Sequence, residues 1–83
     1  MEIKILRELI EPALFREKIK LKSIRWKKIE NKNVLEITIE KEGGTSLKDC
    51  EKASRIIEKI LDEKDLIKTR YFLAVFSSGR KWK

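Results

Sequence analysis

The chain has 83 residues, enough for one hydrophobic core and no second domain. Lys and Arg number 21 against 14 Asp and Glu, a formal charge of +7, so its expected partners are acidic. There is no histidine, which removes the commonest general base and the usual zinc ligand together. The single Cys50 can form neither an internal disulfide nor a multi-thiolate metal site. Enzymatic and metal readings fall away, and no cofactor is expected. No apolar run approaches the roughly 18 residues of a membrane span, and the first nine residues are broken by Glu2, Lys4, Arg7 and Glu8. The expectation is a soluble, cytoplasmic protein.

In the first segment, Ile3, Leu6, Leu9, Ile10, Ala13 and Leu14 recur at spacings of three and four, predicting an amphipathic helix over about residues 2 to 15. Pro12 lies inside that pattern and predicts a kink or an end close to residue 11. From residue 18 the pattern is extended, with Ile19, Leu21, Ile24, Trp26 and Ile29 among basic residues. The parity of the apolar positions changes between Leu21 and Ile24. That change requires either a bulge near Ser23 or a strand that begins only at about residue 22, and the later start is the simpler reading. Asn31, Lys32 and Asn33 supply turn chemistry, and Val34 to Lys41 alternates strictly, completing a β-hairpin.

Gly43 and Gly44 end that strand, and Ser46-Leu47-Lys48-Asp49 resembles a capping box. Leu47, Cys50, Ala53, Ile56, Ile57, Ile60 and Leu61 then line one face of a second helix. A last run of β-formers, Tyr71 to Phe76, ends near Ser77, Ser78 and Gly79. The predicted fold class is α+β: a two-layer sandwich in the order α-β-β-α-β, a three-stranded sheet with both helices on one face. If Tyr71, Leu73 and Val75 point to the helices, Phe72, Ala74 and Phe76 point away, and that face is apolar too.

The stretch from Leu35 to Arg55, LEITIEKEGGTSLKDCEKASR, resembles the N-terminal domain of the ribosome maturation factor RimP family. In that family an alternating strand leads into Lys-Glu-Gly-Gly, then Thr-Leu-Asp-Asp-Cys and a Ser-Arg pair. Gly43, Gly44, Leu47, Asp49, Cys50, Ser54 and Arg55 match position by position. Glu8 to Pro12 resembles the opening helix, Leu21, Ile24 and Trp26 the first strand, and Leu61, Asp62, Tyr71, Leu73 and Val75 the later elements. The resemblance implies a domain over residues 1–79 with a basic tail over 80–83, and a non-catalytic module that binds the small (30S) ribosomal subunit or its RNA during assembly. The family's C-terminal SH3-like domain is expected to be absent, since the sequence reads Ser77-Ser78-Gly79-Arg80-Lys81-Trp82-Lys83 and stops. The charge of +7 also departs from the many acidic members.

Between Arg16 and Lys32, eight basic residues face only Glu17 and Glu30. Lys18, Lys20, Lys22, Arg25, Lys27 and Lys28 are the candidate RNA-binding residues, because lysines along a strand edge can meet successive phosphates. The plainer reading is a solvated edge protected from aberrant pairing. Trp26 reads as core or core rim rather than a base-stacking residue, Cys50 as a small buried apolar residue, and the two glycines as a structural turn rather than a phosphate site. Ser54 suits close packing, and Arg55 is placed to pair with Glu51, Glu58 or a phosphate. Phe72 and Phe76 are candidate interface residues. They define the alternative function, a protein-interaction or homodimerisation module that uses the outer sheet face without RNA; a competing reading folds the tail back with Trp82 over that face.

Overall fold

The computed structural model describes residues 3–65, 67 and 69–77. The proposed tail of Arg80, Lys81, Trp82 and Lys83, and with it the cover by Trp82, lies outside the described residues. The elements run α1 (Ile3–Phe15), β1 (Lys20–Ile29), β2 (Lys32–Glu40), α2 (Leu47–Lys64) and β3 (Phe72–Ser77). The α+β order read from the sequence is the order observed. The sheet order is β1-β2-β3, with β1 antiparallel and β3 parallel to β2. A parallel neighbour needs a long crossover, and α2 supplies it.

The core is one cluster between the sheet and the two helices. Leu6, Ile10 and Leu14 from α1, Leu21 and Ile24 from β1, Leu35, Ile37 and Ile39 from β2, and Ala53, Ile57 and Leu61 from α2 are buried together. Leu73, Val75 and Tyr71 pack against it from the β3 side. No polar or charged side chain is buried among the described residues, so nothing must be paired inside.

Four local expectations are corrected. First, α1 does not end at residue 11: it runs through Pro12 to Phe15, and the amide of Arg16 still donates to the Pro12 carbonyl at 3.2 Å. Pro12 removes only its own donor and lies on the exposed side, where water can satisfy the carbonyl one turn back, while Leu14 beyond it is fully buried and holds the last turn to the core. Second, β1 starts at Lys20 and contains the bulge. Leu21 pairs with Ile39 and Ser23 with Thr38, leaving Lys22 as the extra residue and letting Leu21 and Ile24 both reach the core despite their parity.

Third, the hairpin turn is one residue earlier and shorter than the asparagines imply. Ile29 pairs with Lys32 across Glu30 and Asn31, which both adopt positive φ (50° and 65°), the signature of a tight primed turn matched to strand twist. Fourth, Leu47 is not part of the apolar face of α2: it is 84% exposed at the first helical turn, before the helix reaches the sheet.

Replacing Ile37, fully buried on the central strand, by Ala should cost about 2 to 5 kcal/mol in urea unfolding. Ile29→Ala at the exposed hairpin end should stay within about 0.5 kcal/mol. Equal effects would contradict the placement of the core.

Candidate nucleic-acid interface

β1 is an edge strand, and its sequence puts a cation at nearly every position not needed by the core. The register sorts these cations by face. Arg25 lies opposite Glu36, Lys27 opposite Val34 and Lys20 opposite Glu40, all on the side away from the helices. Lys22, at the bulge, joins them by pairing with Glu40 at 3.7 Å, and Lys27 pairs with Glu36 at 3.6 Å. Lys28 shares the parity of Ile24 and Trp26 and so belongs to the helix side of the pleat. Among the described residues Lys18, Lys20, Arg25 and Lys28 have no ion-pair partner. The structure thus brings Lys20, Lys22, Arg25 and Lys27 together and sets Lys28 apart.

Lys18 is held by backbone geometry. It follows α1 with φ 62°, the left-handed position where glycine is usual. The Ile19 amide donates to the Leu14 carbonyl at 3.0 Å and the Lys18 amide to the Phe15 carbonyl at 2.9 Å, the two bonds of a Schellman cap. Leu14 and Ile19 are both buried beneath it, completing the apolar contact of that motif. A cation here opposes the negative end of the helix. Lys18, Lys20 and Arg16 also line an open cleft with Phe15, Ile19 and Lys41, where Glu11, Glu40 and Glu42 offset most of their charge.

The glycine turn does not form a phosphate site. Ser46 Oγ accepts from the Asp49 amide at 3.2 Å, and the Asp49 carboxylate accepts from the Ser46 amide at 3.0 Å, so the N-terminus of α2 is closed by its own capping box. Lys41 Nζ completes the arrangement 3.0 Å from the same carboxylate. The Ser46 amide, with Lys41 beside it, holds the Asp49 carboxyl below its ordinary range. Burial, with a smaller contribution from the Asp49 charge, pushes the half-buried Cys50 thiol up, away from reactivity. Trp26 sits at the core rim, 37% exposed, with its ring 6.5 Å from that of Tyr71. Arg55 is exposed and, among the described residues, pairs with neither Glu51 nor Glu58.

Beyond β2, the open face ends in aromatics. Phe72 and Phe76 are 50% and 49% exposed, and Lys32 Nζ lies 5.6 Å above the Phe72 ring. The hairpin charges were legible in the sequence. Their meeting with two phenylalanines on one face was not, because it depends on β3 adding beside β2 in parallel.

These features define a small α+β module with one face of its sheet covered by helices and the other, among the described residues, open. The family profile of the RimP N-terminal domain matches residues 9–81, and the chain belongs to that family. Solved structures with the same fold include "MamM CTD D249E - Cadmium form", at 13% identity and TM-score 0.54, covering 96% of this chain and 100% of that one. "MamM CTD C267S" is similar at 13% identity and TM-score 0.54, with 98% and 100% covered. At such identities the likeness is one of fold. Among the described residues no group of three or more Cys, Asp or Glu is arranged to hold a metal ion. None of their helices is long and apolar enough to cross a membrane.

Three substitutions test these local assignments. Ser46→Ala should lower stability by about 1 kcal/mol at neutral pH. Because the folded pKa of Asp49 is depressed, its contribution is present above the unfolded value near 4 and is lost as pH falls through the folded value. Denaturation midpoints of wild type and Asp49→Asn should therefore converge on acidification; a constant gap would refute the assignment. Lys18→Gly, which relieves the positive φ, should raise stability by about 0.5 kcal/mol in the same assay.

Proposed function

We propose that this chain is a non-catalytic, cytoplasmic ribosome maturation module that engages the small ribosomal subunit during assembly, contacting ribosomal RNA through its basic hairpin. Family membership carries the class of function. The hairpin is the contact because Lys18, Lys20, Arg25 and Lys28 are cations without ion-pair partners among the described residues, while Lys22 and Lys27 exchange weak surface pairs for phosphates at little cost. Such contacts release counterions and fix orientation without reading sequence.

Self-association through Phe72 and Phe76 is the less supported reading. The same face carries Lys20, Lys22, Arg25, Lys27 and Lys32 against Glu36 and Glu40, so two copies placed face to face would meet like charge.

Co-sedimentation with free small subunits tests the proposal. Raising salt from about 50 to about 200 mM should weaken binding on the order of 100-fold if four phosphates are neutralised. Lys20→Gln and Arg25→Gln should each reduce the salt slope by about 1. Binding indifferent to salt and to both substitutions would remove the hairpin from the interface.

A further inference from the structure

Resting on that reading, we propose that the open sheet face is a stacking platform for unpaired RNA, with Phe72 and Phe76 as the base-contacting rings and the β1 cations as the phosphate rail. The register arranges the face in rungs. Lys27, Val34 and Phe72 lie side by side across the three strands; so do Arg25, Glu36 and Ala74, and then Ser23, Thr38 and Phe76. Each rung runs from the β1 edge to the β3 edge, a distance of roughly 10 Å set by two strand spacings. A nucleotide with its base over Phe72 or Phe76 would place its phosphate over β1, where Lys27 ends the Phe72 rung, Ser23 ends the Phe76 rung and Arg25, without an ion-pair partner among the described residues, lies on the rung between them.

The rings suit bases better than a protein core. Each is half exposed on a face that none of the described helices covers, and Ala74 between them keeps the surface low. Their separation selects the form of the RNA. Four residues along a strand span roughly 13 Å, whereas bases in a stacked helix rise about 3.4 Å per step. The two rings therefore receive separate bases of an unstacked strand, and a duplex, with its bases engaged, has nothing to offer them.

The Phe72 ring face is met by the chain's own Lys32, whose Nζ lies 5.6 Å from the ring centre. When a base takes its place, Lys32 is released on a flexible stem toward the phosphates. Glu36, tied to Lys27 at 3.6 Å and mostly covered, repels phosphate from the middle of the sheet and so keeps the backbone on the β1 side. Net positive charge across the face favours a polyanion over a second copy of the chain.

The test is a titration of the full chain with a labelled unpaired RNA of about 12 nucleotides and with the corresponding duplex. Phe72→Ala and Phe76→Ala should each weaken binding to the unpaired strand on the order of 5- to 100-fold. Phe76→Trp should restore binding, with its added indole emission quenched by the stacked base. Both Ala variants should keep the wild-type circular dichroism spectrum, since neither ring belongs to the core. Equal binding of the duplex, or Ala variants that bind like wild type, would overturn the platform.

Loss of small-subunit binding in Lys20→Gln and Arg25→Gln alongside unaltered Phe variants would sink the platform and leave the maturation role standing. The opposite failure is also readable: oligonucleotide binding that needs the rings, without any small-subunit binding, would refute the maturation role alone. A dimer in sedimentation that Phe76→Ala dissociates, with no RNA bound, would assign the face to a second copy.

Discussion

The structure depends on the burial of one side of β2. Leu35, Ile37 and Ile39 are fully excluded from water, and every other element is placed by what it contributes to covering them. β1 supplies Leu21 and Ile24 on one flank, β3 supplies Leu73 and Val75 on the other, and α1 and α2 close the layer from above. A central strand buried on one side fixes register strictly, since a slip of one residue would bring Glu36 and Thr38 into the core. The outer side of the same strand is thereby fixed as well.

The bulge at Lys22 follows from this constraint. Leu21 and Ile24 are three apart and cannot share a face of a regular strand, yet both are needed against β2. One inserted residue reconciles them, and it redirects the lysine to Glu40 on the outer side. The same economy of position explains Lys18. The chain must leave α1 and enter β1 with both Leu14 and Ile19 buried, which the Schellman cap achieves by a left-handed residue where the sequence has lysine instead of glycine.

What could be read from the sequence was what depends on periodicity. Helical spacing located both helices, alternation located β2, and Ser46 with Asp49 announced the cap that the structure contains. What could not be read depended on long-range packing. Pro12 left an end near residue 11 open because local propensity takes no account of Leu14 anchored beyond it. Leu47 matched the helical stripe yet lies a turn short of the sheet. Asn31 and Asn33 marked a turn without giving its length, which was decided by strand twist and fell on Glu30 and Asn31. The candidate interface shows the same division: the basic residues were visible as a run, but which of them share a face with Phe72 and Phe76 required the bulge and the parallel addition of β3.

The distinction between the two faces also governs what the structural likeness means. A chain 13% identical can reproduce this fold because the helix side of the sheet demands only apolar residues at alternating positions. Those demands leave the outer face nearly unconstrained, so proteins that share the fold need share nothing on that side. The cadmium named with one neighbour therefore says nothing of the outer face here, which in this histidine-free chain carries lysines and phenylalanines. An edge of cations, two of them holding the carboxylates of the middle strand, and an opposite edge of half-exposed rings make a surface that separates charge from aromatic contact across the sheet. That separation matches the two chemical halves of a nucleotide, and no requirement of the core would have produced it.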